Sequence, residues 1–218
     1  MRASSLRHAC CTNSFVTSPM LCCPAQLVFD NTTGALAPAA NPVAVMRGSG
    51  PRHIIFHPNG RTALLVNELG ATAAVFEYSA ATGLLAPNPS YVSTIPSSVS
   101  ANGQHAAEIL LSPDAAFVYV TNRGPYCGIA LFSVVGGSGG GAVTLQPAGF
   151  YSENDPVTNW PRAASFVAGG RFLVVAGERS MMVASFARDA TTGALTRVAA
   201  LNLTGAVDGP SCVHAYTK

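Results

Sequence analysis

Apolar residues along this chain gather in strand-length runs, each closed by a turn residue, and the runs recur in a fixed order. Pro51-Arg-His-Ile-Ile-Phe-His-Pro-Asn-Gly60 is followed by Thr62-Ala-Leu-Leu-Val-Asn67, and Ala106-Ala-Glu-Ile-Leu-Leu-Ser-Pro-Asp114 by Phe117-Val-Tyr-Val-Thr-Asn122. A third copy runs Pro161-Arg-Ala-Ala-Ser-Phe-Val-Ala-Gly-Gly170, then Phe172-Leu-Val-Val-Ala-Gly177. Pro58, Pro113 and Ala168 stand 55 residues apart, as do Asn67, Asn122 and Gly177. Phe76, Phe132 and Phe186, read as the ends of a later strand, follow at steps of 56 and 54. Val75-Phe-Glu-Tyr and Val183-Ala-Ser-Phe alternate as strands do. Ala81-Thr-Gly83 and Ala190-Thr-Thr-Gly193 supply a turn before the last strand.

The predicted unit is therefore strand, tight turn, strand, short loop, strand, Gly-containing turn, strand. Four strands at a period of ~50 residues mark a propeller blade. The Trp-Asp end of a WD40 blade is absent. Leu27-Val-Phe-Asp-Asn-Thr-Thr-Gly-Ala-Leu36 matches the rear half of such a unit, and Gly209-Pro-Ser-Cys-Val213 restarts the opening pattern. The expected fold is all-β, an open, partial β-propeller of about three and a half four-stranded blades over residues 24–218. An atypical segment at 1–23, disordered or artefactual, precedes it. A blade cannot bury both faces alone. An arc of this size is thus expected to be incomplete or to self-associate through its exposed end blades.

Composition narrows the partners. Charged residues make up 10% of the chain and net charge is +2, with no run of five like charges, so a nucleic-acid partner is not expected. No apolar segment reaches the ~18 residues that span a bilayer. Cys10, Cys11, Cys22, Cys23, Cys127 and Cys212 lack a zinc-like spacing and read as free thiols of a reducing compartment. Residues 1–29 contain no acid and carry Arg2 and Arg7, a composition also found in plastid or mitochondrial transit peptides, although no amphipathic helix is evident. The Gly136–Gly141 run carries no phosphate-loop Lys and reads as a flexible hairpin insertion. No cofactor and no metal are expected.

Gly50-Pro-Arg-His-Ile-Ile-Phe-His-Pro-Asn-Gly60, Ala106 to Asp114, Tyr119-Val-Thr-Asn-Arg-Gly124 and Trp160-Pro-Arg162, in that order, resemble the seven-bladed lactonase family. That family includes the propeller-type 6-phosphogluconolactonases and the fungal carboxy-muconate cyclases. The likeness covers residues 27–213 and implies a protein of about seven such repeats, of which this chain holds the later portion. The family's His-rich blade opening and Asp/Arg-bearing loop are replaced by Ser18-Pro-Met-Leu-Cys-Cys-Pro-Ala-Gln26, and Gly177 stands where Asn is usual. These departures bear on activity more than on fold.

Innermost strands of successive blades converge around the axis. His53 and Glu108 each precede their turn Pro by five, and Arg162 lies one place earlier in the third copy. These three are the candidate catalytic residues. His53 and Glu108 can share the general acid and base roles. Arg162 and Arg123 can hold an oxyanion, carboxylate or phosphate, with Arg52 and Asn122 beside them for binding. Blander roles stand next to these. His53 can bond a backbone carbonyl, Glu108 can form a structural pair with an Arg, and Arg123 can pair with Glu68 of the neighbouring blade. His57, beside a turn, is expected to be exposed.

Two functions follow. The first is hydrolysis of a small-molecule sugar lactone, 6-phosphogluconolactone foremost, in cytoplasmic carbohydrate metabolism, or the related muconate-lactone chemistry. The second is a non-catalytic propeller that binds a ligand or a protein.

Overall fold

The computed structural model describes residues 27–29, 32–38, 43–137, 141–151 and 159–214. The expected atypical segment at 1–23 lies outside these, as do 138–140 of the glycine run. A half-blade comes first, β1 (Leu27–Phe29) antiparallel to β2 (Leu36–Pro38). The first blade follows with β3 (Pro51–Phe56), β4 (Thr62–Asn67), β5 (Thr72–Ser79), β6 (Leu84–Leu85) and β7 (Ser90–Ser93). The second blade is β8 (His105–Leu111), β9 (Phe117–Arg123), β10 (Gly128–Gly136) and β11 (Val143–Tyr151). The third is β12 (Pro161–Val167), β13 (Phe172–Gly177), β14 (Met182–Arg188) and β15 (Leu195–Asn202). Each blade is an antiparallel meander, and β3, β8 and β12 stand side by side as its innermost strands. The described residues contain no α-helix, only a single 3-10 turn at Ala168–Gly170. The expected all-β partial propeller is what the chain adopts.

The second strands are buried on both faces because each is sandwiched between blades. Every residue of β4 and of β9 is buried, which is why these strands read as continuous apolar runs and not as an alternation. Leu64, Val66 and Val75 of the first blade pack against Ile109, Val118 and Phe132 of the second. Tyr119 and Leu131 pack against Leu173, Val175 and Phe186 of the third. On its other face, the first blade buries Leu65 and Phe76 under Val43 and Val45. Removing one of these rings, as in Phe186→Ala, costs about 3–5 kcal/mol.

Four expectations are corrected. Phe76, Phe132 and Phe186 do not end their strands. They sit inside β5, β10 and β14, opposite Ala63, Val118 and Leu173, where burial between blades holds them. The fourth strand of the first blade is split into β6 and β7, both on β5, because Pro87 and Pro89 interrupt the ladder between them. Residues 209–213 form no strand. An innermost strand is held by the second strand of its own blade, and among the described residues none pairs with 209–213. His57 is half-buried, its Nδ1 accepting the Asn59 amide at 3.2 Å, which closes the β3–β4 turn.

Candidate functional site

The innermost strands each carry an irregularity where the charged residues stand. The register of β3 on β4 slips between Pro51 and His53, that of β8 on β9 between Ala106 and Ile109, and that of β12 on β13 between Pro161 and Ala163. Arg52, Glu108 and Arg162 therefore fall at bulged positions, where a strand re-aims its side chains. At the Glu108 bulge the freed amide donates to Thr121 Oγ1 at 2.9 Å. Each bulge lies near the end at which the innermost strands begin and the second strands finish, the mouth of the arc.

His53 and Glu108, one repeat apart, meet across the first seam. His53 Nδ1 lies 2.8 Å from Glu108 Oε1, with side chains 27% and 20% exposed. The Ile109 amide donates to the same carboxylate oxygen at 3.2 Å and fixes it. Beside them, Glu68 at the β4 end is shared by two arginines. Arg123 Nη2 approaches one oxygen at 2.5 Å and Arg52 Nη1 the other at 3.3 Å, while Arg52 Nε donates to Ala107 O at 3.1 Å. Arg123 is 5% exposed, and its Nε has no hydrogen-bond partner among the described residues. Burial, reinforced by the Arg52 and Arg162 charges and opposed by Glu68, holds its guanidinium below the ordinary arginine value.

Arg162 stands one blade further on. It takes both oxygens of Glu178 at 3.1 Å and is 37% exposed, and no hydrogen bond links it to His53 or Glu108. Arg52–Glu68 and Arg162–Glu178 are the same pair in two blades, each separated by 16 residues. In the second blade the corresponding positions hold Ala107 and Arg123. That exchange sends Arg123 across the seam to Glu68. Asn122 is fully buried. Its amide donates to Thr94 O at 2.9 Å and Val120 O at 3.1 Å and accepts from Thr94 Oγ1 at 2.7 Å, so it fastens the loop before the blade.

Arg179, Trp160 and Glu178 join the mouth without having been singled out as site residues in the sequence. Arg179 Cζ lies 3.3 Å from the Trp160 ring centroid, and Arg123 Cζ lies 5.8 Å from it. The signal available was alignment: Glu178 stands two repeats beyond Glu68. The mouth thus gathers Arg52, Arg123, Arg162 and Arg179 against Glu68, Glu108 and Glu178, an excess of one positive charge that suits an anion. Among the described residues no cluster of three His, Cys, Asp or Glu could hold a metal ion, and no helix is long and apolar enough to cross a membrane. A cleft of about 280 Å³ opens at the outer edge of the first blade, lined by Glu77, Tyr78 and Leu85, away from these residues.

Fold and mouth together define a propeller whose axial end carries paired acids, a histidine and arginines. The chain belongs to the seven-bladed β-propeller lactonase family, whose model matches residues 25–215. It is 36% identical over 166 residues to the 6-phosphogluconolactonase of Bacillus subtilis, covering 76% of this chain and 44% of that protein. It is 32% identical over 183 residues to that of Formosa agariphila, covering 82% and 46%. A solved chain from Bacteroides uniformis superposes with a TM-score of 0.71 at 27% identity, covering 85% of this chain and 49% of that one. The periplasmic gluconolactonase of Pseudomonas aeruginosa does so at 0.65 and 30%, covering 74% and 42%. The chain spans about half the length of the relatives it matches.

Proposed function

We propose that the mouth opens a sugar lactone, with 6-phosphogluconolactone as the substrate. The 2.8 Å contact between His53 and Glu108 carries this reading, because it couples a base to a carboxylate beside a cluster of arginines. With Nδ1 held by Glu108, the other ring nitrogen of His53 faces the task of taking a proton from water. The hydroxide adds to the lactone carbonyl, and Arg162 and Arg123 stabilise the oxyanion. On collapse the bond from the carbonyl carbon to the ring oxygen breaks. The imidazolium returns its proton to that oxygen, and the product is an open-chain acid. Arg52 and Arg123 are the substrate's anion contacts, and Asn122 supports them from behind. The names of the two relatives support 6-phosphogluconolactone as the substrate.

A second reading, binding of the sugar acid without turnover, is favoured by one fact. The chain spans about half the length of the relatives it matches, and the residues of the mouth are drawn from that half alone. Hydrolysis of 6-phosphogluconolactone by the purified chain, with Glu108→Ala and Arg162→Ala beside it, separates the two. The lactonase reading expects turnover that falls about a hundredfold or more in Glu108→Ala. Turnover that survives both substitutions contradicts the site, and binding of 6-phosphogluconate without turnover selects the second reading. The free thiols Cys127 and Cys212 favour a cytoplasmic setting. The exposed Val198 and Leu201 on β15 favour pairing with a second copy, which sedimentation as a monomer at all concentrations in ultracentrifugation would contradict.

A further inference from the structure

One position at the mouth breaks the repeat. Gly50, His105 and Trp160 are equivalent residues, each just before an innermost strand or at its start. Gly50 has φ 65° and Trp160 has φ 63°. Gly209, at the corresponding place after the third blade, has φ 81°. This left-handed region is natural to glycine and is avoided by bulky side chains. Trp160 is the largest of the non-glycine residues with positive φ among those described. The surrounding backbone is the same in both blades. The Glu68 amide donates to Gly50 O and the Gly70 amide to Ser49 O; likewise the Glu178 amide donates to Trp160 O and the Ser180 amide to Asn159 O. A glycine therefore satisfies this scaffold, and the third blade carries an indole there against the backbone's preference. Strain of this kind, kept where a strain-free residue is available, marks a side chain with a task.

The partner position changes with it. Above Gly50 stands Leu69, close enough that a Cβ on Gly50 would lie 2.8 Å from Leu69 Cγ. Its equivalent in the third blade is Arg179, whose guanidinium lies on the Trp160 ring at 3.3 Å. Trp160 is further bounded by Arg123 at 5.8 Å and by the His105 ring at 6.3 Å. Among the described residues no carboxylate pairs with Arg179. The swap from Gly and Leu to Trp and Arg converts a bare rim into an aromatic wall topped by a cation. Such a wall holds an anionic substituent on the guanidinium stacked over one indole face and takes the C–H face of a sugar ring on the indole face turned away from it.

We propose that Trp160 and Arg179 are the specificity wall of the mouth, selecting a sugar ring that bears an anionic group over its neutral counterpart. The proposal rests on the lactone reading of the site and names what that site discriminates. Trp160 is the chain's single tryptophan, so its fluorescence reports on the wall alone.

The test combines binding with kinetics on the full chain. In the wild type, 6-phosphogluconate changes the fluorescence saturably and at a concentration about tenfold or more below gluconate, and Arg179→Gln removes that preference. Trp160→Gly restores the residue that the scaffold favours. It is expected to keep Tm within about 3 °C of wild type or above it, while KM for the phosphorylated lactone rises about tenfold and that for gluconolactone rises less. Trp160→Asn, which also tolerates positive φ, repeats the test should the glycine variant fold poorly. A large fall in Tm with KM unchanged in both variants would make Trp160 a structural plug and overturn the proposal. So would equal fluorescence responses to 6-phosphogluconate and gluconate. Active wild type with unaltered selectivity in the variants defeats the wall but leaves the lactonase reading intact. Selective binding without any turnover defeats the lactonase reading and leaves the wall.

Discussion

Between the first and second blades the ion pairs lie at the mouth, where His53 meets Glu108 and Arg123 meets Glu68. The turn end of that seam carries neutral hydrogen bonds, from Asn59 Nδ2 to Gly141 O at 3.1 Å and from the Val143 amide to Thr62 Oγ1 at 3.3 Å. Between the second and third blades the ion pair lies at the opposite end, in the turns. There Arg188 Nη2 meets Asp114 at 2.7 Å, its Nε donates to Gly170 O at 2.8 Å, and the Tyr119 hydroxyl donates to Gly193 O at 2.6 Å. Both seams share one apolar design. The difference lies in how the charges are committed. At the far end a single arginine is fixed by one acid and one carbonyl, and it acts as a latch. At the mouth one acid is divided between two arginines, and a histidine and a second acid stay open to solvent. A repeated sheet unit thus keeps its shared charges and its half-exposed acid and histidine at one end of its strands, and its fixed contacts on its faces and at the other end.

The separation can be broken by substitutions that should affect one region only. Arg123→Ala has the largest expected effect, about a hundredfold or more in kcat/KM on the lactone, because Glu68 keeps only Arg52 and the mouth loses its most buried cation. Steady-state kinetics checks this. Arg188→Ala should lower stability by about 1–3 kcal/mol in denaturant titration and leave kcat/KM as it was. A matching fall in activity would mean that the ends are coupled. The smallest effect is acid weakening of the latch. Burial raises the Asp114 pKa, but hydrogen bonds from Ser112, Arg188 and Ala116 outweigh it and hold the carboxyl below its ordinary 3.8. A group whose pKa is depressed on folding contributes stability above its unfolded value and loses it as pH falls through the folded one. The Tm difference between wild type and Asp114→Asn should therefore be present at neutral pH and shrink as pH drops below 3.8.

Much of this was legible in the sequence, because the period was. Anchors 55 residues apart located the innermost strands, and one-period spacing is what puts His53 against Glu108. The pairing of Arg123 with Glu68 was legible as an alternative for the same reason. The bulges were not, since a register slip at Pro51–His53 leaves no mark in the spacing of the repeat. Without them Arg162 reads as a direct neighbour of Glu108, whereas it faces Glu178. Asn122 looked available because polar residues at strand ends commonly are; its burial follows from Thr94, which comes from a loop no local pattern ties to it. The left-handed backbone at Trp160 was hidden because sequence associates that conformation with glycine.

The central claim is that innermost strands one repeat apart make a single working unit of His53 and Glu108. A double-mutant cycle on kcat/KM, with His53→Ala, Glu108→Ala and the pair, measures that directly. The account predicts that the double variant loses little more than either single one, because each removes the same function. Losses that multiply, as for two residues acting independently, would contradict it.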